Sequence, residues 1–285
     1  MDLIIGTATF GSNYGIANNG KFLDEEDALA ILSEAQNVGI TSLDTAPTYS
    51  NAEDIIGKFH SFHPKFDCYS KISSQMISSP AEAQSAIENS LRRMKVELLK
   101  GLYFHDPIDL LTNDRAQIET IIDAIQETRN VEKIGASVYE LREMVAIRDR
   151  HPRITLFQVP ENIADQRLRY SLEIKHFHEA GIEFHVRSVF LQGLLLMDSA
   201  PTHLLNAQPF IDTLRATASN RNYSPIDLCI SYINQIAWAS RFIVGISKVS
   251  QLREILNAKD LSFQEIDFEA KLPDEILDPR RWING

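Results

Sequence analysis

Cysteine is almost absent. The 285-residue chain has two, Cys68 and Cys229, far apart and with no C-x-x-C. That excludes a disulfide scaffold and a zinc ribbon, and it fits a reducing compartment. Basic charge is also short: 28 Lys and Arg against 39 Asp and Glu give a formal net charge of -11 and a pI near 5.2. A protein that tracks phosphates needs a basic face, so no nucleic-acid partner is expected. No window approaches the ~18 uninterrupted apolar residues of a membrane span. Met1-Asp2-Leu3 opens with an acid and lacks the basic region of a signal peptide. These absences point to a cytoplasmic protein without a membrane partner. A G-x-G-x-x-G turn and a Walker lysine motif are missing too, which counts against an open doubly wound sheet. Heptads, repeats and low-complexity tracts are not found.

What is present is an alternation. Strand-like runs fall at Leu3–Ile5, Ile40–Leu43, Cys68–Ile72, Leu102–Phe104, Lys133–Ser137, Thr155–Val159, Ile182–Arg187 and Phe242–Ile246. Helix-like segments separate them. Asp24 caps one whose apolar Ala28, Ile31, Leu32 and Ala35 recur at helical spacing until Gly39. Asn51 opens the next, and Ser79-Pro80-Ala81-Glu82 reads as a capping box with proline in the first turn. Ile118, Ile121, Ile122 and Ile125 mark another, followed by Leu141–Arg150, Leu168–Ala180, two helices before Trp238 (the second opened by Ser224-Pro225), and one from Ser250 to Asn257. Eight strand–helix units without a shift of composition predict a parallel (β/α)8 TIM barrel, one domain over residues 1–285. Residues 259–285 read as an irregular tail or flap over one barrel face.

In such a barrel the chemistry sits at the C-terminal ends of the strands. There the sequence places Asp44, Lys71, His105, Ser137, Gln158 and Arg187, with Tyr49 and Asn162 just beyond. Each has a bland explanation by itself: Asp44 as a helix cap, Lys71 as a snorkelling surface residue, His105 as a turn residue beside Asp106-Pro107, Tyr49 as a loop anchor. What these leave unexplained is a lysine at an inward position of Cys68-Tyr69-Ser70-Lys71-Ile72. A buried ammonium needs a partner, and Asp44 on the adjacent strand is in reach. An Asp–Lys–Tyr–His set has a specific use. An ammonium lowers the pKa of a nearby phenol, the carboxylate fixes the ammonium, and a neutral imidazole shares the oxygen that the phenol protonates. The set contains no nucleophile, so a hydride donor is implied.

Leu43-Asp44-Thr45-Ala46-Pro47-Thr48-Tyr49-Ser50-Asn51-Ala52-Glu53 resembles the D-T-A-x-x-Y-G-x-S-E signature of the aldo/keto reductases. Further segments follow in the family's order: Ser70-Lys71, Phe104-His105, Ile134-Gly135-Ala136-Ser137, Phe157-Gln158-Val159-Pro160-Glu161-Asn162, and Ile243-Val244-Gly245-Ile246-Ser247-Lys248 with Gln251-Leu252-Arg253-Glu254. The likeness covers nearly the whole chain and is closest to a bacterial branch. It implies a barrel that reduces an aldehyde or ketone with NADPH, the catalytic tetrad being Asp44, Tyr49, Lys71 and His105, with Tyr49 the general acid. It implies a cofactor site of Gly6, Thr7, Asp44, Ser188, Phe190, Gln192, Gly245 and Gln251, with Ser137, Gln158 and Asn162 at the nicotinamide carboxamide, Arg187 at the nicotinamide ring, the backbone of Gly193 and Leu194 at the pyrophosphate, Ser247 and Lys248 at the adenosine 2′-phosphate, and Glu254 at the adenine. The partner implied is a small-molecule carbonyl.

The chain departs from the family pattern at several points. Val138 follows Ser137 where many members have Asn, and Glu161 replaces the usual aromatic before Asn162. Arg187 stands where many members stack a tyrosine on the nicotinamide, and a guanidinium can also stack on a planar ring. Ile255 and Gln251 stand where Asn and Arg are common. That leaves Lys248 as the main phosphate partner, with NADH open beside NADPH. The His60/His63 and His176/His178/His185 groups lack a complete ligand set, so no metal is expected. Two other functions are consistent with the residues: a Schiff-base lyase with Lys71 as nucleophile, and a non-catalytic NADPH-binding regulator. Asn13, Tyr14, Asn18 and Asn19, with Met76, Leu110 and Trp282, would line the substrate pocket and lean toward a sugar-like carbonyl. Substrate, pathway and oligomeric state are not legible.

Overall fold

The computed structural model describes residues 2–10, 23–259, 261 and 271–282. Eight parallel strands close into a barrel in sequence order: β1 (Leu3–Gly6), β2 (Ser42–Asp44), β3 (Asp67–Ile72), β4 (Leu99–Phe104), β5 (Ile134–Ser137), β6 (Leu156–Pro160), β7 (Glu183–Arg187) and β8 (Arg241–Gly245), with β8 pairing back onto β1. The helices around it are α1 (Glu25–Asn37), α2 (Ala52–His60), α3 (Pro80–Met94), α4 (Pro107–Thr112), α5 (Arg115–Glu127), α6 (Leu141–Arg150), α7 (Leu172–Glu179), α8 (Gln208–Asn220), α9 (Pro225–Asn234) and α10 (Val249–Leu256). A short α11 (Asp274–Leu277) and a 3-10 turn (Pro279–Arg281) follow. The expected (β/α)8 barrel is the observed fold.

The caps act largely where the sequence put them. Asp24 accepts the Asp27 N–H at 2.8 Å, and Ser79 accepts that of Glu82 at 3.2 Å. The Glu82 carboxylate takes the Ser78 hydroxyl, so the box there is half formed. Ser224 and Asp227 make a complete one. Of the strands that start later than the expected runs, β2 and β7 do so for one shared reason. Gly39 and Gly181 both have φ +82° and close Schellman motifs. In these, Ile40 N–H bonds to Ala35 C=O and Ile182 N–H to Phe177 C=O. Ile40 and Ile182 therefore finish helices, and β2 and β7 begin at Ser42 and Glu183. Helix α7 begins at Leu172 rather than Leu168, because Ser171 is its cap. The six-residue α4 and the 3-10 stretches 191–196 and 202–207 carry too little periodicity to be read from sequence.

Two separate sets of buried side chains result. The larger lies between strands and helices; the smaller, Ile4, Tyr69, Tyr103, Leu156 and Ile243, fills the barrel. Strand side chains alternate faces, so positions two residues further along share the inward direction. Counting on from that inner set gives Gly6, Lys71, His105, Gln158 and Gly245. The same inward row on the other strands holds Asp44, Ser137 and Arg187. The expected rim residues are thus the top inward layer of the barrel.

Candidate active site

Lys71 and Asp44 meet inside that layer. Lys71 Nζ lies 2.5 Å from Asp44 Oδ1 and 3.0 Å from the Thr45 carbonyl, with both side chains buried. The ammonium is 4.9 Å from the centroid of the Tyr49 ring. Burial opposes the Lys71 charge, but the Asp44 carboxylate and Tyr49 outweigh it and raise its pKa above the ordinary lysine value. The His105 ring stands edge-on to Tyr49, centroids 6.1 Å apart. Burial first, then the Lys71 charge, pull the His105 pKa down to about 4, so its imidazole is neutral at neutral pH. All four residues of the expected tetrad come together.

Asp44 is held from several sides. Its second oxygen accepts from Gln158 Nε2 at 2.8 Å. Its backbone carbonyl accepts both the N–H and the hydroxyl of Thr7, at 2.9 and 3.0 Å. Thr7 is fully buried and braces Asp44 from behind. Gly6 is packed closely, since a Cβ there would lie 3.2 Å from Ile243. Ser137 ends β5, registered with Gln158.

The segment after β7 is backbone-strained. Ser188, Leu191, Gln192 and Gly193 have φ of 62°, 47°, 54° and 91°. A non-glycine residue in the left-handed region costs ~1–2 kcal/mol, and such strain collects at ligand-binding turns. Asn162, fully buried, braces this turn: its Nδ2 donates to the Ser188 carbonyl at 3.0 Å while its Oδ1 accepts from Ala164 and Asp165 N–H. Phe190 and Leu194 point into the core. Lys248, exposed, is the N-cap of α10, whose first turn contains no acid. A cation there opposes the helix dipole unless an anion joins it. Gln251 Oε1 accepts the Ser247 N–H at 2.9 Å; Gly245 and Glu254 are exposed beside this turn. A strained backbone turn and a helix N-terminus whose lysine has no acidic partner among the described residues suit phosphate groups, so these residues fit a dinucleotide.

Arg187 ends β7 with partners on a neighbouring loop. Its guanidinium lies 4.1 Å from the Tyr139 ring centroid and donates to the Val138 carbonyl at 3.2 Å. The same ring is covered at 3.5 Å by Arg280 of the tail, which Asp278 grips through both carboxylate oxygens. Neither Tyr139 nor Arg280 was legible as a site neighbour, because nothing in sequence brings 139, 187 and 280 together. The histidines have local duties. His60 bonds Met94 C=O and Phe66 N–H, His63 stacks on Phe59, and His185 lies in the barrel against Tyr103 and Glu183. Among the described residues no group of three or more His, Cys, Asp or Glu is arranged to hold a metal. Leu110 is a core residue, fully buried, rather than a pocket wall. Residues 13, 14, 18 and 19 lie outside the described residues. Among the described residues no helix is long and apolar enough to cross a membrane.

The sequence profile of the Aldo/keto reductase family matches residues 2–271. Aldo-keto reductase YhdN of Bacillus subtilis is 23% identical over 161 residues, 52% of this chain and 48% of that protein, so the match spans about half of that relative. Among solved structures, a thermostable aldo-keto reductase, Tm1743, in complex with the inhibitor epalrestat superposes with a TM-score of 0.72 at 19% identity, covering 93% of each chain. Aldo-keto reductase AKR11C1 from Bacillus halodurans in its holo form gives 0.72 at 22% identity, covering 93% of this chain and 89% of that one. At those identities the structures speak for the fold, and the profile speaks for the family. The chain belongs to the aldo/keto reductase family, whose general reaction is the NAD(P)H-dependent reduction of carbonyl compounds.

Proposed function

We propose that this protein reduces an aldehyde or ketone to the alcohol with NADPH, and that Tyr49 donates the proton. The observation that carries this is the buried Lys71–Asp44 pair beneath the Tyr49 ring, with a neutral His105 beside it. A nicotinamide held there would supply the hydride that the carbonyl carbon needs. As negative charge builds on the carbonyl oxygen, the Tyr49 hydroxyl gives up its proton, and the Lys71 ammonium stabilises the phenolate left behind. Asp44 keeps Lys71 charged and in place. His105, neutral because its pKa is about 4, can donate a hydrogen bond to the same oxygen without competing for the proton. The preference for NADPH rests on Lys248 at the α10 N-terminus; the neighbouring Arg253 is already paired with Glu34. The tail acts as a flap, with Arg280 over Tyr139 beside Arg187.

The Schiff-base alternative needs an unprotonated Lys71, and a lysine held as an ammonium against Asp44 argues against it. The test follows NADPH absorbance with an activated aromatic aldehyde, comparing wild type with Tyr49→Phe while fluorescence reports NADPH binding. Loss of the proton donor should lower the rate about a hundredfold or more and leave NADPH affinity unchanged. A wild type that binds NADPH without turning over aldehydes would favour the regulatory role instead. Borohydride trapping of a carbonyl on Lys71 would overturn the reductase reading.

A further inference from the structure

The loop that carries Tyr49 closes on a turn its own sequence disfavours. Ser50, the next residue, is exposed and has φ +50°. Asn51 follows with φ -101° and ψ 15°, and the Ala52 N–H bonds to the Tyr49 carbonyl at 2.9 Å. Together these describe a type II′ turn with Ser50 at its first central position, where the positive φ favours glycine. The family signature has glycine at that place; this chain has serine. The turn therefore needs a restraint from outside, and Asn51, at the N-cap of α2, makes no side-chain cap bond.

Arg93, in the last turn of α3, supplies it. Its Nη2 donates to the Ser50 carbonyl at 3.3 Å and to Asp54 Oδ2 at 2.7 Å. Nε donates to Asp54 Oδ1 and Nη1 to Glu53 Oε2, both at 3.0 Å. Glu53, Asp54 and Gly57 share one stripe of α2, and that stripe leads back to Ser50. Its far end is fixed, since a Cβ on Gly57 would lie 1.8 Å from the Arg93 carbonyl oxygen. The two helices can approach this closely only at a glycine. Glu53, buried, ties the group inward by taking the Ser70 hydroxyl at 3.4 Å, next to Lys71 on β3. The Ser50 carbonyl belongs to the central peptide of the turn. That peptide must swing if Ser50 relaxes to a negative φ, and Tyr49 would swing with it.

We propose that Arg93 is a positioning residue: through the Ser50 carbonyl it holds the turn that keeps the Tyr49 phenol over Lys71 and beside His105. The proposal rests on the reading of Tyr49 as the proton donor. It goes beyond that reading in assigning the placement of the phenol to a residue on another helix that touches neither substrate nor nucleotide. A guanidinium suits the task because its N–H groups diverge in one plane toward Ser50, Glu53 and Asp54, whereas an ammonium donates from a single point.

The test measures kcat with an activated aromatic aldehyde, NADPH affinity by fluorescence titration, and the urea midpoint. Arg93→Met should lower kcat about tenfold, the effect of a misplaced proton donor, and leave the NADPH dissociation constant unchanged. Adding Ser50→Gly, which adopts the positive φ without restraint, should return kcat to within about twofold of wild type. The midpoint should stay low in the double variant, because Glu53 still lacks its partner. If Arg93→Met does not fold, Arg93→Lys keeps a cation for Glu53 and gives up the Ser50 carbonyl; the same loss and the same rescue are expected. A low midpoint with kcat intact, or a kcat that Ser50→Gly does not restore, overturns the proposal. The Tyr49 and His105 rings, with centroids 6.1 Å apart, give a readout that needs no turnover. The NOE between them should vanish in Arg93→Met and return with Ser50→Gly; an NOE that persists in Arg93→Met overturns the clamp. Wild-type protein that binds NADPH but reduces no aldehyde overturns the reading of Tyr49 as proton donor, and the ring contact then decides the clamp by itself.

Discussion

Glu161 shows how much a single residue can depend on its surroundings. It occupies the position before Asn162 and is fully buried. Tyr232 donates to Oε1 at 2.5 Å and Leu168 N–H to Oε2 at 3.2 Å. Burial pushes its carboxyl from 4.5 up to about 8. The folded state thus holds a proton that the unfolded chain releases near 4.5. The stability from this group is fully present below pH 4.5 and is lost as pH rises toward 8. His105 works the other way: its folded value of about 4 lies below 6.5, so it adds stability as pH rises from 4 to 6.5. A Glu161→Gln variant isolates the first effect. Its thermal midpoint relative to wild type should climb steadily between pH 4.5 and 8; a constant difference across that window would sink the assignment. For activity, the neutral His105 predicts that the acid limb of kcat lies near pH 4 rather than near 6.5, which a pH–rate profile checks.

At the level of elements, the inward faces of β4 and β5 are cut away for the barrel's aromatic filling. A Cβ on Gly135 would lie 2.4 Å from the Leu156 carbonyl oxygen and 2.9 Å from the Tyr103 ring; one on Gly101 would meet Leu156 and Tyr69 at 2.6 and 2.7 Å. The Gly135 clash is with backbone, which cannot swing away. Gly135→Ala should therefore lower stability by about 1–3 kcal/mol, the usual cost of overpacking, read as a lower urea midpoint at unchanged slope. An unchanged midpoint would mean that β5 and β6 can separate without cost. The elements also show where sequence reading stops. Helix α6 was legible to the residue: the helix-like segment Leu141–Arg150 is the observed helix. The starts of β2 and β7 were not, because an apolar Ile40 or Ile182 serves a Schellman motif as well as it serves a strand.

On the scale of the whole molecule, the tail returns to the C-terminal rim through one anchored turn. Asp278, largely buried, holds Arg280 and also approaches Arg281 at 3.7 Å, while Trp282 Nε1 donates to the Ile276 carbonyl at 3.0 Å. Arg280 and Arg187, 93 positions apart in sequence (280 minus 187), share the Tyr139 ring. If this turn covers the substrate side of the site, Asp278→Ala should raise the KM of the carbonyl compound several-fold and leave the dissociation constant of NADPH unchanged. Steady-state kinetics with parallel nucleotide titration separate the two, and an unaltered KM would remove the tail from the substrate site.

Eight apolar runs alternating with helical spacing were enough to predict the barrel. Parallel strands put chemistry at their C-terminal ends and a lysine in an inward position demands a carboxylate, which was enough to pair Lys71 with Asp44 and to set Tyr49 and His105 beside them as the proposed tetrad. What the sequence left undecided is who touches whom across the barrel. Gln158 reaches Asp44 over 114 positions and Tyr103 reaches His185 over 82, pairings that depend on strand register and barrel tilt. Counting back by two from His105 and Arg187 does lead to Tyr103 and His185. Only closure of the sheet, however, brings β4 and β7 across from each other and turns two buried polar side chains into partners, because an unpaired polar group could not stay there.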